Sequence, residues 1–203
     1  MMEQAKERSR AEFDRQAAQY DTASFGAHAR KLYPILLEQL EQVSCQRVLD
    51  VGCGTGELLS QLAGRHPGGR YWGVDLSPEM VAVARGKLGE RAQVELGDAE
   101  ALPVPDGWAQ VVVCSDSFHH YPNPKAALQE FARVLQPGGV LLLGDTTAPA
   151  VLRGMLNTLL PMGHGGDVHL YSPKELTALL KEHFRKVECR RVDATSLLAR
   201  GLR

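Results

Sequence analysis

The chain has 203 residues and a formal net charge of −1, with 23 Lys and Arg against 24 Asp and Glu, which suits one globular domain. Because there is no basic surplus, the composition excludes a dedicated nucleic-acid binder. No stretch approaches the roughly 18–20 apolar residues of a membrane-spanning helix, and the charged start is unlike a signal peptide. We therefore expect a cytoplasmic monomer or homodimer without stable membrane insertion.

The four cysteines are spread along the chain without a C-x-x-C pair. They are Cys45, Cys53, Cys114 and Cys189. Several stand beside apolar runs, so we expect buried, reduced thiols and neither a disulfide framework nor a structural zinc site.

The chain begins with two predicted helices and then alternates short apolar runs with amphipathic segments. Residues 1–42 carry the two helices, and Leu32, Ile35, Leu36 and Leu40 recur at helical spacing in the second. The predicted strands are RVLDV, YWGVDL, QVEL, AQVVVCS and GVLLLGD, and the predicted helices between them are GELLSQLAGRH, PEMVAVARGKL and KAALQEFARVL. Val- and Leu-rich strands without polar alternation are typical of parallel strands buried on both faces.

This pattern predicts an α/β, Rossmann-like, doubly wound sheet of seven strands with helices on both faces. We divide the single domain 1–203 into a helical cover (1–42), a core (46–145), an excursion that we interpret as a lid (147–171) and a final segment (172–203). The final segment contains a helix and the runs RKVECRRVD and TSLLARGLR. Their short connection predicts an antiparallel hairpin at the sheet edge.

The strongest local motif is the glycine turn Asp50-Val51-Gly52-Cys53-Gly54-Thr55-Gly56, between the first strand and its helix. Alternating glycines allow a tight turn and close approach of a ligand to the backbone, at the helix N-terminus where N–H groups are free. The dinucleotide fingerprint G-x-G-x-x-G would require glycine where this chain has Glu57. Repulsion by Glu57 predicts a ligand without a diphosphate.

Two further acids follow strand ends that should lie at the same edge of the sheet. Asp75 closes the second strand, where a carboxylate can accept both hydroxyls of a ribose. Asp98 follows the third strand and could accept from an exocyclic adenine amine, although an isolated Asp in a turn is also common. Together with Asp50 and Glu57, these acids predict a locally acidic cleft that favours a cationic sulfonium over a polyphosphate.

Four motifs in this order resemble those of the class I S-adenosylmethionine-dependent methyltransferases. They are the glycine turn, Asp75-Leu76-Ser77-Pro78-Glu79-Met80, Gly97-Asp98-Ala99-Glu100-Ala101-Leu102-Pro103 and Leu135-Gln136-Pro137-Gly138-Gly139-Val140. The chain is most similar to the small-molecule branch that includes the ubiquinone and menaquinone biosynthesis methyltransferases. Phe13-Asp14 and Tyr20-Asp21 also resemble that branch's N-terminal helix.

The resemblance implies S-adenosyl-L-methionine as cofactor, S-adenosyl-L-homocysteine as product and a small-molecule methyl acceptor. The residues that it implies for the methionine end are Asp50, Gly52, Gly54, Gly56 and Ser115. Those that it implies for the adenosine end are Asp75 on the ribose, Leu76 and Met80 beside the adenine, and Asp98 and Ala99 at its edge. Tyr20 would close over the cofactor, because aromatic faces attract cations such as a sulfonium.

Methyl transfer from a sulfonium is an in-line displacement that depends mainly on positioning, so no catalytic residue is compulsory. A hydroxyl or carbon acceptor would profit from a general base, and the candidates after the fourth strand are Asp116, His119 and His120. We expect no metal site in the lid, because His164, Asp167 and His169 lack zinc-like spacing.

Two other functions stay open at this point. A protein could bind S-adenosylmethionine without transferring the methyl group, as a sensor or partner subunit, since binding and catalysis use the same motifs. A nicotinamide-dependent reductase is disfavoured by Glu57 and by the later motifs.

Overall fold

The structure, a computed structural model, describes residues 2–43, 46–160, 163 and 166–203. The strands are β1 (Arg47–Val51), β2 (Arg70–Asp75), β3 (Gln93–Leu96), β4 (Ala109–Ser115), β5 (Leu135–Thr146), β6 (Arg185–Arg191) and β7 (Ser196–Leu202). The helices are α1 (Met2–Gln16), α2 (Ala27–Leu40), α3 (Glu57–Arg65), α4 (Pro78–Leu88), α5 (Pro124–Val134), α6 (Ala150–Leu159) and α7 (Pro173–Leu180).

The seven strands form one sheet in the order β3-β2-β1-β4-β5-β7-β6. The first five pair in parallel, and β7 pairs antiparallel with both β5 and β6. The predicted fold class and its edge hairpin are confirmed. The order reverses between β1 and β4, and such a switch point leaves a ligand-binding crevice at the carboxyl ends of the strands.

Two apolar clusters cover the faces of the sheet. On one face the leucines of α2 pack with α3, α4 and side chains such as Val111 and Leu142, and on the other α5 and α7 pack against Leu141 and Leu143. Burial of β1 and β4 on both sides explains their unbroken Val and Leu runs. The N-terminal cover therefore contributes to the core through α2, while α1 buries only Ala5 and Ser9.

The start of β5 differs from the prediction. The predicted strand GVLLLGD starts at Gly139, with Pro137 and Gly138 between it and the preceding helix. In the structure β5 begins at Leu135, directly after α5. The pairing with β4 shifts between Ala109 and Val111, and Gly138 takes a φ of 76°. This irregularity accommodates the turn-forming residues inside the strand.

The described cysteines agree with the expected reduced state, since Cys53 and Cys114 are buried free thiols and Cys189 is a half-buried one. Cys45 lies outside the described residues. In the described ranges, no helix combines the length and apolarity that crossing a bilayer requires.

Candidate functional site

A cavity opens at the carboxyl ends of β1, β2 and β4, under the N-terminal helices. This is the edge of an open parallel sheet at which ligands usually bind. The residues predicted from the motifs that line it are Tyr20, Gly52, Gly54, Asp75, Leu76, Met80, Asp98, Ala99, Ser115, Asp116 and His120. Residues from three of the four motifs, from the segment after β4 and from the cover therefore meet in one space.

The glycine turn is fixed from below by β2. The Gly52 and Cys53 N–H groups donate to the Val74 carbonyl, at 2.8 and 3.1 Å. Gly52 has a φ of 72°, and a Cβ there would lie 2.1 Å from Ser117 Oγ, so no larger residue fits. Gly54 also has a positive φ, of 51°, but its Cβ position meets nothing within 4 Å. Its bare backbone faces open space, as a ligand cradle requires.

Asp75 connects the end of β2 to this turn. Its Oδ2 accepts from the Gly54 N–H at 2.8 Å, and its Oδ1 accepts from the Ser77 N–H at 2.9 Å. Burial raises the pKa of Asp75 above its ordinary value, and these backbone hydrogen bonds oppose that rise. Because Asp75 also lines the cavity, its carboxylate can accept from hydroxyl groups of a ligand there.

Two residues predicted at the methionine end lie beside the cavity rather than on its described wall. Gly56 starts α3 with a φ of 72°, and a Cβ there would lie 2.7 Å from Leu88 Cδ1. It allows α3 and α4 to approach closely. Asp50 is buried under the turn, and its Oδ1 has no hydrogen-bond partner among the described residues.

Only part of the predicted acidic cleft is present in the structure. Asp75 and Asp98 line the cavity, but Glu57 does not line its described wall and pairs with Lys87 Nζ at 2.7 Å. Because this ion pair compensates the charge of Glu57, the acidic character of the described cavity wall comes from the other carboxylates. The sequence contained Lys87, but its contact with Glu57 depends on the packing of α3 against α4.

Polar contacts of three side chains hold the N-terminal cover on the core, and no sequence motif indicated them. Lys6 Nζ lies 2.6 Å from both Asp98 Oδ2 and Glu100 Oε2. Asp14 accepts a hydrogen bond of 2.5 Å from Ser77 Oγ, at the N-cap of α4. Asp21 accepts one from Lys87 Nζ at 2.6 Å. The cover is thus tied to the loops that follow β2 and β3, over the predicted adenosine end.

Aromatic rings from the cover form the opposite wall of the cavity. Tyr20 packs edge-on against Phe13, with ring centroids 6.1 Å apart, and Phe13 packs edge-on against His120 at 5.0 Å. Tyr33 from α2 completes this wall. Aromatic faces suit a cation, so the predicted place of Tyr20 beside a sulfonium is geometrically available.

Asp116, which follows β4, is held in an unusual backbone conformation. Its φ is 52°, a strained value for a residue other than glycine, and its Oδ1 accepts from His28 Nδ1 at 2.7 Å. Burial opposes ionisation, but the His28 hydrogen bond and the nearby histidines lower the pKa of Asp116 below its ordinary value. Asp116 is therefore an ionised carboxylate at the cavity wall, oriented by a histidine that no sequence motif indicated.

His119 lies behind that wall and connects two acids. Its Nδ1 is 2.6 Å from Asp145 Oδ1 at the end of β5, and its Nε2 is 3.4 Å from Asp167 Oδ1. Against the effect of burial, these carboxylates raise the pKa of His119 well above its ordinary value. The His119 carbonyl also accepts from the Val168 and His169 N–H groups, at 2.9 and 3.2 Å, which fixes the 166–169 loop beside β4.

A second cavity, more open than the first, adjoins it at Asp116. Its described lining residues are His28, Asp116, His119, Thr146, Leu156, Leu160, Asp167 and Leu170. The predicted lid 147–171 therefore borders this second cavity and not the described wall of the first. Within the lid, His169 lies 3.4 Å from the Asn157 side chain, and His164 is outside the described residues.

Comparison with known proteins now identifies the family. A model described as a methyltransferase domain matches residues 49–143. The malonyl-[acyl-carrier protein] O-methyltransferase of Geobacter sulfurreducens is 35% identical over 188 residues, which cover 87% of this chain and 69% of the relative. This chain belongs to the class I S-adenosylmethionine-dependent methyltransferases.

Other members of this methyltransferase family match over shorter stretches. The demethylmenaquinone methyltransferase of Thermus thermophilus is 38% identical over 129 residues, which cover 62% of this chain and 58% of that protein. The matched stretches of the first curated relatives span 35% to 69% of their length.

The methyltransferase fold is also clear from a solved structure. A chain in the complex between the Trm112 methyltransferase activator of Haloferax volcanii and a methyltransferase superposes with a TM-score of 0.78. The two chains are 23% identical, and the superposition covers 96% of each. At this identity the likeness concerns the fold alone.

The site of this methyltransferase fits the cofactor of its family. Two buried oxygens, Ser115 Oγ and Asp50 Oδ1, have no hydrogen-bond partner in the described part of the chain, and they lie on or under the cavity wall at the predicted methionine end. Unpaired buried polar atoms are costly, so they favour a polar ligand at this place. The open backbone at Gly54 and the Asp75 carboxylate add to these groups. Together they suit a ligand in which an amino acid is joined to a nucleoside.

Proposed function

We propose that the protein transfers a methyl group from S-adenosyl-L-methionine to a small-molecule acceptor and releases S-adenosyl-L-homocysteine. The observation that carries this proposal is the meeting of the Gly52–Gly54 turn and Asp75 in the first cavity, with Asp116 at the border of the second. The first cavity would hold the cofactor and the second the acceptor.

In this arrangement Asp75 would hold the ribose hydroxyls, and Asp98 and Ala99 would border the adenine. Gly52, Gly54 and Ser115 would contact the methionyl portion, with Asp50 behind them. The cofactor supplies an already activated methyl group, so the protein contributes mainly alignment, worth up to roughly 7–11 kcal/mol in well-aligned systems. Gly56 would act indirectly, by setting the position of α3.

Asp116 would be the residue that meets the acceptor. It is ionised, touches both cavities and is held by His28, which can donate to it while contacting Ser196 Oγ at 3.0 Å. A carboxylate in this position can accept a proton from a hydroxyl or carbon acid, or anchor a cationic amine. His119 would position the loop, and His120 would border the cofactor.

The reacting atom of the acceptor has to reach the methyl group inside the enclosed first cavity, which favours a small acceptor or a narrow extended group. The cover residues Tyr20 and Tyr33 are each less than 10% exposed, and Lys6 bridges to the opposite rim. A bulky folded substrate would have to displace these contacts. Among the relatives, one is named for a quinone precursor and one for a malonyl group on a carrier protein.

Calorimetry and turnover test this function in two steps. We expect S-adenosylmethionine and S-adenosylhomocysteine to bind stoichiometrically and NAD not to bind; binding of NAD alone would refute the cofactor assignment. Turnover is then followed as release of S-adenosylhomocysteine on a panel of phenols, carboxylic acids, amines and quinols. Tight cofactor binding without turnover on any of them would support a binding protein that transfers no methyl group.

A further inference from the structure

Three side chains behind the cofactor cavity place metal-ligating atoms around one point. They are His119 and His120, in the short turn after β4, and Asp167, in the loop after α6. His119 Nε2 and His120 Nδ1 lie 3.4 and 3.3 Å from the same oxygen, Asp167 Oδ1. All three ligand atoms lie within 4.8 Å of one another.

These separations match the geometry of a tetrahedral ion. Zinc binds imidazole nitrogen and carboxylate oxygen at about 2.0–2.2 Å, which places neighbouring ligand atoms roughly 3.3–3.5 Å apart. The two printed contacts of Asp167 Oδ1 therefore correspond to two edges of such a tetrahedron. The third edge, between His119 Nε2 and His120 Nδ1, is within 4.8 Å.

His120 supplies an observation that points to a missing ligand. Its side chain is only 10% exposed, and its Nδ1 is buried without a hydrogen-bond partner among the described residues, although Asp167 is near. The ring is held in place by Phe13 on one side and by the His119 ring, whose centroid is 4.0 Å away. A buried nitrogen without a hydrogen-bond partner calls for an explanation, and a bound metal ion would supply its missing partner.

Asp145 provides the outer contact that metal-binding histidines normally have. The distance of 2.6 Å between His119 Nδ1 and Asp145 Oδ1 allows an N–H donated to a fully buried carboxylate. Such a bond fixes the orientation of the ring and leaves Nε2 as the ligating atom, which binds a metal ion in place of a proton. This outer partner was not visible in the sequence, because Asp145 is 26 positions from His119.

We propose that His119, His120 and Asp167 form a site for a divalent transition metal of the zinc class, with Asp145 as its outer partner. Two imidazoles and one carboxylate favour zinc, cobalt or iron over magnesium, which prefers oxygen ligands and octahedral geometry. Three protein ligands leave a fourth position open, as in catalytic rather than structural zinc sites. The proposal replaces the expectation from sequence spacing that this segment holds no metal.

The position of the metal site between the two cavities indicates what a bound ion would do. His120 borders the first cavity, and His119 and Asp167 border the second. If the proposed methyl transfer also holds, an ion at this boundary would bind an acceptor oxygen or sulfur and favour its deprotonated, nucleophilic form. The site itself does not depend on that function, so each proposal can fail without the other.

The test uses the full chain, stripped with a chelator and titrated with Co²⁺ as a spectroscopic probe. We expect one equivalent of Co²⁺ with the visible absorption of a tetrahedral nitrogen and oxygen site, displacement by Zn²⁺, and no displacement by Mg²⁺ at the same concentration. Asp167→Asn and His120→Gln should weaken Co²⁺ binding more than tenfold, and Asp145→Asn by 10–100-fold.

His169→Gln is the matched control, because His169 lies in the same loop, two residues from Asp167, and contributes none of the three ligands. Circular dichroism and thermal unfolding check that each variant is folded. Absence of a stoichiometric Co²⁺ spectrum, or an equal loss of binding in His169→Gln, would overturn the metal site, whatever the result for cofactor binding.

Discussion

Lys6 of the first helix lies 2.6 Å from Asp98, the carboxylate predicted at the adenine edge. A second contact of the same length, to Glu100, makes Lys6 a bridge between the cover and the loop after β3. The bridging side chain is only 17% exposed. Opening of the cavity therefore requires Lys6 to leave two carboxylates.

Replacement of Lys6 should accelerate exchange of the cofactor. Lys6→Met keeps the length of the side chain but loses both ion pairs, which together contribute on the order of 1 kcal/mol at a partly exposed site. We expect the dissociation rate of S-adenosylmethionine to rise about fivefold in stopped-flow measurements. Lys125→Met, which breaks an exposed pair with Glu182 on the far surface, is the control. Identical rates in both variants would mean that α1 does not gate the cavity.

Asp75 is the side chain on which the cofactor assignment depends most directly. Asp75→Ala should weaken binding of S-adenosylmethionine by about 1.5–3 kcal/mol, the range for hydrogen bonds to a charged group. Calorimetry measures this, and circular dichroism checks the fold, because Asp75 also accepts from Gly54 and Ser77. Asp106→Ala changes a carboxylate that is 79% exposed and serves as the control. An unchanged affinity would show that the ribose lies elsewhere.

The glycines of the turn should respond differently to the same change. Both Gly52→Ala and Gly54→Ala place a side chain at positive φ, which costs roughly 1–2 kcal/mol. Only Gly52→Ala adds a clash with Ser117, so it should lower the melting temperature further. Gly54→Ala should fold more stably than Gly52→Ala but bind the cofactor at least tenfold more weakly, because its methyl group enters the open cradle. If Gly54→Ala bound normally, the ligand would not approach this turn.

Asp50 should make the stability of the ligand-free protein depend on pH. Burial and the charge of Asp75 raise its pKa to about 8, whereas an unfolded Asp titrates near its ordinary value of 3.8. Between these values the folded state holds a proton that the unfolded state has lost. The free energy of unfolding should therefore fall as pH rises from 4 to 8, by up to roughly 1.4 kcal/mol per pH unit.

Asp50→Asn removes this titration and keeps the shape of the side chain. Urea denaturation of both proteins at several pH values should give a flatter profile for the variant and a higher stability than the wild type at pH 8. The control Asp106→Asn should keep the wild-type slope. Parallel profiles for Asp50→Asn and the wild type would contradict a proton on Asp50 in the folded state.

The sequence predicted the sheet well, because its signals were local. Buried Val and Leu runs such as residues 111–114, and the cap and proline at Ser77 and Pro78, determine their own structure within a few residues. Contacts between distant segments could not be predicted in this way. The pair Lys6–Asp98 joins residues 92 positions apart, and the pair His28–Asp116 joins residues 88 positions apart. The charge of Glu57 is compensated by Lys87, a contact that no local signal predicted. A charge in a sequence indicates chemistry only once its partner is known.

Leu156, on the face of α6 that borders the second cavity, offers a test of where the acceptor binds. Leu156→Trp should fill part of this cavity and raise the KM for the acceptor found in the turnover screen at least fivefold. Cofactor affinity should stay the same, since α6 lies outside the described wall of the first cavity. Val151→Trp, on the exposed face of the same helix at 83% exposure, controls for effects of added bulk. A change in cofactor affinity with an unchanged acceptor KM would show that the two cavities have been assigned the wrong way round.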